Sequence, residues 1–177
     1  MNPRSSARKP GIRWLRFFLV FAWMGMIFYS SSQPYHKQNL QPEIHRWLPD
    51  QVVENHFSEI RFSYAGKEIS VDALGAPAFV EFFIRKGAHF GAYAGLALLL
   101  SWAIAPLVRS RFVLLLLPVA VGLAYAASDE IHQYFTGDRT PLVQDVLIDG
   151  TGALAGVLLY TLGSIIAQAR RRRRTAR

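Results

Sequence analysis

The chain has 177 residues, 51% of them hydrophobic, with 20 Lys+Arg against 12 Asp+Glu and a formal net charge of +8. That length suits one compact domain, and the absence of cysteine excludes both a disulfide framework and thiolate chemistry. The charge alone would suit nucleic acid or an anionic membrane surface, but the bases flank long apolar runs, which favours a membrane protein and no nucleic-acid partner.

The first apolar run is Ile12–Tyr29, and it predicts a first span over 12–30 after an N-terminal segment 1–11. The segment before it is basic like a signal peptide, but the run is long and no A-x-A cleavage pattern follows, so a retained helix is expected. Tyr29-Ser-Ser-Ser-Gln-Pro34 then reads as a helix stop.

Residues 31–76 have the composition of a soluble segment. Pro42 and Pro49 punctuate one or two short helices. Alternation at Ile60, Phe62, Tyr64 and again at Ile69, Val71, about Ala65-Gly66, predicts a β-hairpin at about 59–72. His36, His45 and His56 read as solvent-exposed loop residues.

Pro77 suits the first turn of a helix over 77–107 that contains the second span. Gly87, Gly91 and Gly95 recur every fourth residue, a spacing that lets another helix approach and permits a homo-oligomer. A short loop (108–111) leads to a third span with a polar extension, 112–135. A loop (136–144) precedes the fourth span, 145–168, and an Arg-rich tail occupies 169–177. A bilayer core of about 30 Å needs roughly 20 apolar residues per helix. The third run reaches that length only through Ser128–Phe135.

Arg4, Arg8, Lys9, Arg13 and Arg16 precede or open the first span, Arg109 and Arg111 lie between the second and third, and Arg170 to Arg174 with Arg177 follow the fourth. None of the 12 acidic residues lies in those segments. With four crossings they share one side, which the positive-inside rule makes the cytoplasm. Both termini are then cytoplasmic, the membrane is the bacterial cell membrane, and the tail contacts anionic lipid.

Lys86, His89 and Tyr93 share one helical face by their spacing, as do Tyr125, Asp129, His132 and Gln133, and Asp145, Asp149, Gly152 and Gly156. Glu130 points elsewhere, and Arg139 comes from the loop Thr136-Gly-Asp-Arg-Thr-Pro141. One charge at a helix centre costs about 2.5–3.5 kcal/mol on insertion scales. Convergence is therefore expected: Lys86, Arg139 and histidine compensating Asp129, Asp145 and Asp149 in a polar pocket open to the outside, walled by spans two, three and four. The first span is expected only to pack. Trp14, Trp23 and Trp102 read as lipid contacts, and Tyr93 and Tyr125 as interface aromatics.

Arg85-Lys-Gly-Ala-His-Phe90, Ser128-Asp-Glu-Ile-His-Gln-Tyr-Phe135, Asp138-Arg139 and Asp145-x-x-x-Asp149-x-x-Gly152, in this order and over about Ile12 to Ala167, resemble the VanZ-like family of small bacterial membrane proteins. One departure is Asp138 between Gly137 and Arg139, where a Gly-Arg pair is commoner. The resemblance implies that Lys86, His89, Asp129, Glu130, Gln133, Arg139, Asp145 and Asp149 are the motif residues. It also implies an association with teicoplanin resistance.

The fold class expected is mainly α: a four-transmembrane-helix bundle with a small external segment containing the hairpin. The function expected is recognition of an envelope component, a lipid-linked cell-wall precursor or a lipoglycopeptide, by the cluster Lys86, His89, Asp129, Glu130, His132, Gln133, Arg139, Asp145 and Asp149. Membrane lipids are its other partners. One alternative is an intramembrane hydrolase or transferase on a lipid-linked substrate, with carboxylate–histidine acid/base work or Ser128 near His132 as a nucleophile pair. Another is a structural bundle held by internal salt bridges. His89, Asp129, His132, Asp145 and Asp149 are of the type that holds a divalent metal, but no metal, cofactor or catalytic residue is assigned.

Overall fold

The computed structural model describes residues 10–34, 37–136 and 141–175. In chain order the elements are α1 (Pro10–Ser31), α2 (Gln41–Trp47), α3 (Asp50–Phe57), β1 (Arg61–Tyr64), β2 (Lys67–Ser70), α4 (Val71–Leu74), α5 (Ala76–Ile104), α6 (Arg111–Thr136) and α7 (Val143–Thr175). Among the described residues, four helices are long and apolar enough to cross a membrane: α1, α5, α6 and α7. The architecture is thus a mainly α bundle with one small hairpin. Trp14, Phe18, Phe21, Phe112, Leu116 and Leu158 are exposed on its flanks, where lipid rather than water would cover them.

The middle of the bundle is α5, which packs against every other helix. Val20 and Ile27 of α1, Tyr93, Leu96 and Leu100 of α5 and Ala126 of α6 form one buried cluster. Ala97 meets Ala153 and Val157 in a second. Between α5 and α7 the backbones nearly touch. A Cβ added at Gly152 would collide with the Phe90 carbonyl, and one at Gly156 with that of Ala94. The contact numbers rise together along both helices, so α5 and α7 run parallel. This is a Gly-x-x-x-Gly seam, but on α7. The α5 stripe does not serve that purpose: space beside Gly87 and Gly91 is open, and Gly95 is covered by the Trp23 side chain.

The hairpin is antiparallel, with Phe62 opposite Ile69 and Tyr64 opposite Lys67. Ala65 (φ 52°) and Gly66 (φ 78°) make the turn, the two left-handed residues that a tight two-residue hairpin demands. Period two puts Phe62, Tyr64, Lys67 and Ile69 on one face. That face rests on the start of α5. Phe62 meets Phe82 and Phe83, and Tyr64 meets Phe82 edge-on at 5.3 Å. Ile69 packs with Val53 of α3, Val71 of α4 and Phe79 of α5. A lone hairpin is marginal in water, and this packing compensates.

Several details differ from the sequence-based expectation. His45 and His56 lie in α2 and α3 rather than in loops, and His36 lies outside the described residues. The fourth helix does not stop at 168 but carries Arg170 to Arg174 to Thr175; helix-forming arginines in a solvated last turn give no reason to break. Trp23 does more than face lipid: its Nε1 donates to the Ala92 carbonyl at 2.8 Å. Tyr93 and Tyr125 are not interface aromatics either, since Tyr93 is 0% exposed and Tyr125 Oη donates to the Met24 carbonyl at 2.7 Å.

Candidate functional site

Below the hairpin, α5, α6 and α7 present their polar faces to one another. Lys86 Nζ lies 2.5 Å from Asp145 Oδ1, and Tyr64 of β1 donates its phenolic hydrogen to the same oxygen. The ammonium also sits over the Tyr64 and Phe82 rings, at 4.8 and 5.6 Å from their centroids. One helical turn deeper, His89 Nδ1 is 3.5 Å from Asp149 Oδ2. Asp149 is 1% exposed, and a carboxylate so buried needs a partner. The pairing follows the seam: where Gly152 and Gly156 seat on Phe90 and Ala94, Lys86 falls level with Asp145, and Asp149 falls to His89.

Helix α6 supplies Asp129, Glu130 and Gln133, all buried. Gln133 Nε2 donates to Asp129 Oδ2 at 3.1 Å and to Ser31 Oγ at 2.7 Å. Glu130 accepts from the Leu142 backbone N–H at 2.9 Å, pinning the start of α7 to the end of α6. His132 turns toward α1, where its Nε2 meets Ser32 Oγ at 3.0 Å and its ring stacks on Phe28 at 4.3 Å. Arg139 lies outside the described residues. Ser128 Oγ donates to the Tyr125 carbonyl, so Ser128 and His132 have separate partners and form no nucleophile pair. Among the described residues no three His, Asp or Glu side chains are grouped so as to hold a metal ion.

Several contributors were not singled out from sequence. Ser31 and Ser32 bring α1 into the site, so the first span does more than pack. Tyr64 read only as the apolar side of a strand. Glu81, 2% exposed, accepts from Leu40 N at 3.2 Å and Gln41 Nε2 at 2.8 Å, with Arg85 Nη1 3.9 Å away. A glutamate amid Phe79, Val80, Phe82 and Phe83, four residues before an arginine, was the available signal. Burial, together with the Asp145 carboxylate it bonds to, pushes the Tyr64 phenol above the ordinary tyrosine range.

Two cavities meet at this cluster. One, about 520 Å³, lies under the hairpin between Tyr64, Lys67, Lys86, Glu130 and Asp145. The other, about 460 Å³, lies between α1 and α5, lined by Met26, Ile27, Ser31, Ala92, Tyr93 and Asp129. Arg85 and His89 line both. Asp129 and Tyr93 line the second cavity; Asp129 Oδ1, Tyr93 Oη and Asp149 Oδ1 are buried without a hydrogen-bond partner among the described residues. Buried polar atoms are rarely left so. The arrangement offers an ion pair toward the hairpin and unpaired buried oxygens on α5, α6 and α7.

No curated protein and no solved structure matches the chain. The model of the VanZ/LLP1 family matches residues 16–166, which take in α5 and α6 whole, most of α1 and α7, and the polar cluster between them. The chain therefore belongs to the VanZ/LLP1 family.

Proposed function

We propose that this multi-pass membrane protein sits in the bacterial cell membrane with both termini cytoplasmic. Its polar cluster, at the opposite surface, binds the head group of an envelope amphiphile, a lipid-linked cell-wall precursor or a lipoglycopeptide. Through that binding it contributes to teicoplanin resistance. One observation carries the reading: Asp129 and Tyr93 line one cavity, and their Oδ1 and Oη have no hydrogen-bond partner among the described residues. A network whose purpose was internal packing would satisfy its own groups, because each unmet buried one costs about 1–3 kcal/mol. A hydroxyl or amine of a ligand supplies the missing donor to Asp129. Lys86 and Arg139 suit its phosphate or carboxylate.

The test is teicoplanin susceptibility of cells expressing the wild type, Asp129→Asn or Tyr93→Phe, with membrane abundance measured in parallel. Loss of protection at equal abundance is expected. Full protection from both variants would contradict the reading.

The ion pair Lys86–Asp145 and the contact His89–Asp149 favour a second reading, a structural bundle cross-linked by its own polar groups. Under it, exchanging Lys86→Asp with Asp145→Lys restores both folding and phenotype. Under ligand binding the exchange restores folding alone.

A further inference from the structure

We propose that the other end of the bundle carries a second binding site, for the phosphate head group of an anionic phospholipid. A cavity of about 1310 Å³ opens there between α1, the α5–α6 connection and α7. Arg13 and Arg16 of α1, Arg109 of the connection and Arg171 of α7 line it, and no acidic residue does. It lies at the end of the four long helices remote from the polar cluster and shares no lining residue with the two cavities there.

Like charges brought around one concavity repel, so their convergence asks for a compensating anion. Orientation in the membrane does not ask for it, because the topology rule depends on how many bases flank a span and not on their meeting. Arg16 is held in place: Nη1 donates to the Trp102 carbonyl at 3.0 Å, and the guanidinium lies 4.4 Å from the Trp102 ring centroid. A guanidinium fixed by stacking and by a backbone carbonyl is pre-organised for a phosphate oxygen. Leu98, Leu114 and Leu159 line the same cavity, and Leu159 is 58% exposed. Free phosphate would leave that apolar wall uncovered, whereas the acyl chains of a lipid would cover it.

The experiment uses the full chain purified in neutral detergent and titrated with phosphatidylglycerol, phosphatidylcholine or inorganic phosphate. Bound lipid is counted by native mass spectrometry. Phosphatidylglycerol should be retained at about one per chain, at least tenfold more tightly than phosphatidylcholine, and inorganic phosphate should not displace it. Arg13→Gln with Arg109→Gln, which keeps the Arg16–Trp102 contact, should weaken retention about tenfold or more. Arg172→Gln with Arg174→Gln removes the same charge from outside the cavity and should leave retention within about twofold. Equal loss from the two pairs would overturn the site in favour of diffuse attraction. Displacement by inorganic phosphate would overturn the lipid in favour of a simple anion site.

Discussion

Lys86 of α5 and Asp145 of α7 meet at 2.5 Å, and Tyr64 of the hairpin bonds the same carboxylate. One side chain on the first turn of α7 thus joins two membrane-type helices to the soluble segment, and through them the roof of the cavity to its wall.

Replacing Tyr64 with Phe keeps the ring against Phe82 and removes the bond to Asp145. A hydrogen bond to a charged group is worth about 1.5–3 kcal/mol. Hydrogen exchange of residues 61–70 should quicken accordingly, with the bundle helices unaffected. The same residue gives a pH signature. Its phenol titrates higher folded than unfolded, so its contribution to stability is complete below about pH 10 and declines as pH rises through the folded value. Denaturation of wild type and Tyr64→Phe from pH 9 upward should show a steeper alkaline decline in the wild type, the difference being the Tyr64 contribution.

Breaking the Lys86–Asp145 pair from either side leaves a half-buried charge behind. Lys86→Ala should lower stability in micelles by about 2 kcal/mol. The exchange of both residues should recover most of it, as a denaturant titration would read. The exchange of Lys86 with Asp149 should recover nothing, because Asp149 faces His89.

The glycines separate sharply. Gly152→Ala or Gly156→Ala drives a methyl into a backbone carbonyl of α5, and a drop in melting temperature with reduced membrane accumulation is expected. Gly91→Ala meets open space within a helix and should be neutral or stabilising by up to about 1 kcal/mol. Melting curves of the three variants decide it.

The chain has no cysteine, so single introduced thiols report sidedness cleanly. Lys67→Cys in the hairpin should react with a membrane-impermeant maleimide on intact cells. Arg172→Cys should react only after the membrane is opened. The reverse pattern would invert the proposed orientation.

How much of this was readable from the residues follows from what each signal measures. Apolar run lengths report the span count directly, and the four long helices match it. Ala65-Gly66 reports a turn because left-handed backbone leaves few choices. Pairings across helices were harder. The level of Asp145 or Asp149 against Lys86 depends on where α7 seats on α5. Gly152 and Gly156 set that, and two helices carried the same small-residue spacing. Ser31 and Ser32 read as a helix stop because their partners Gln133 and His132 lie about a hundred residues away. Trp23 looked like a lipid anchor for the same reason: an indole N–H bonded to a carbonyl on another helix leaves no local trace.

The central claim is that Asp129 and Tyr93 hold open valences for an amphiphile's head group. The most direct measurement is mass spectrometry of molecules co-purifying with the chain from native bacterial membranes, for wild type, Asp129→Asn and Tyr93→Phe. The account predicts an amphiphile with a hydroxyl- or amine-bearing head group, retained near one per chain by the wild type and lost from both variants. Equal occupancy in all three proteins, or no such molecule in the wild type, would contradict it.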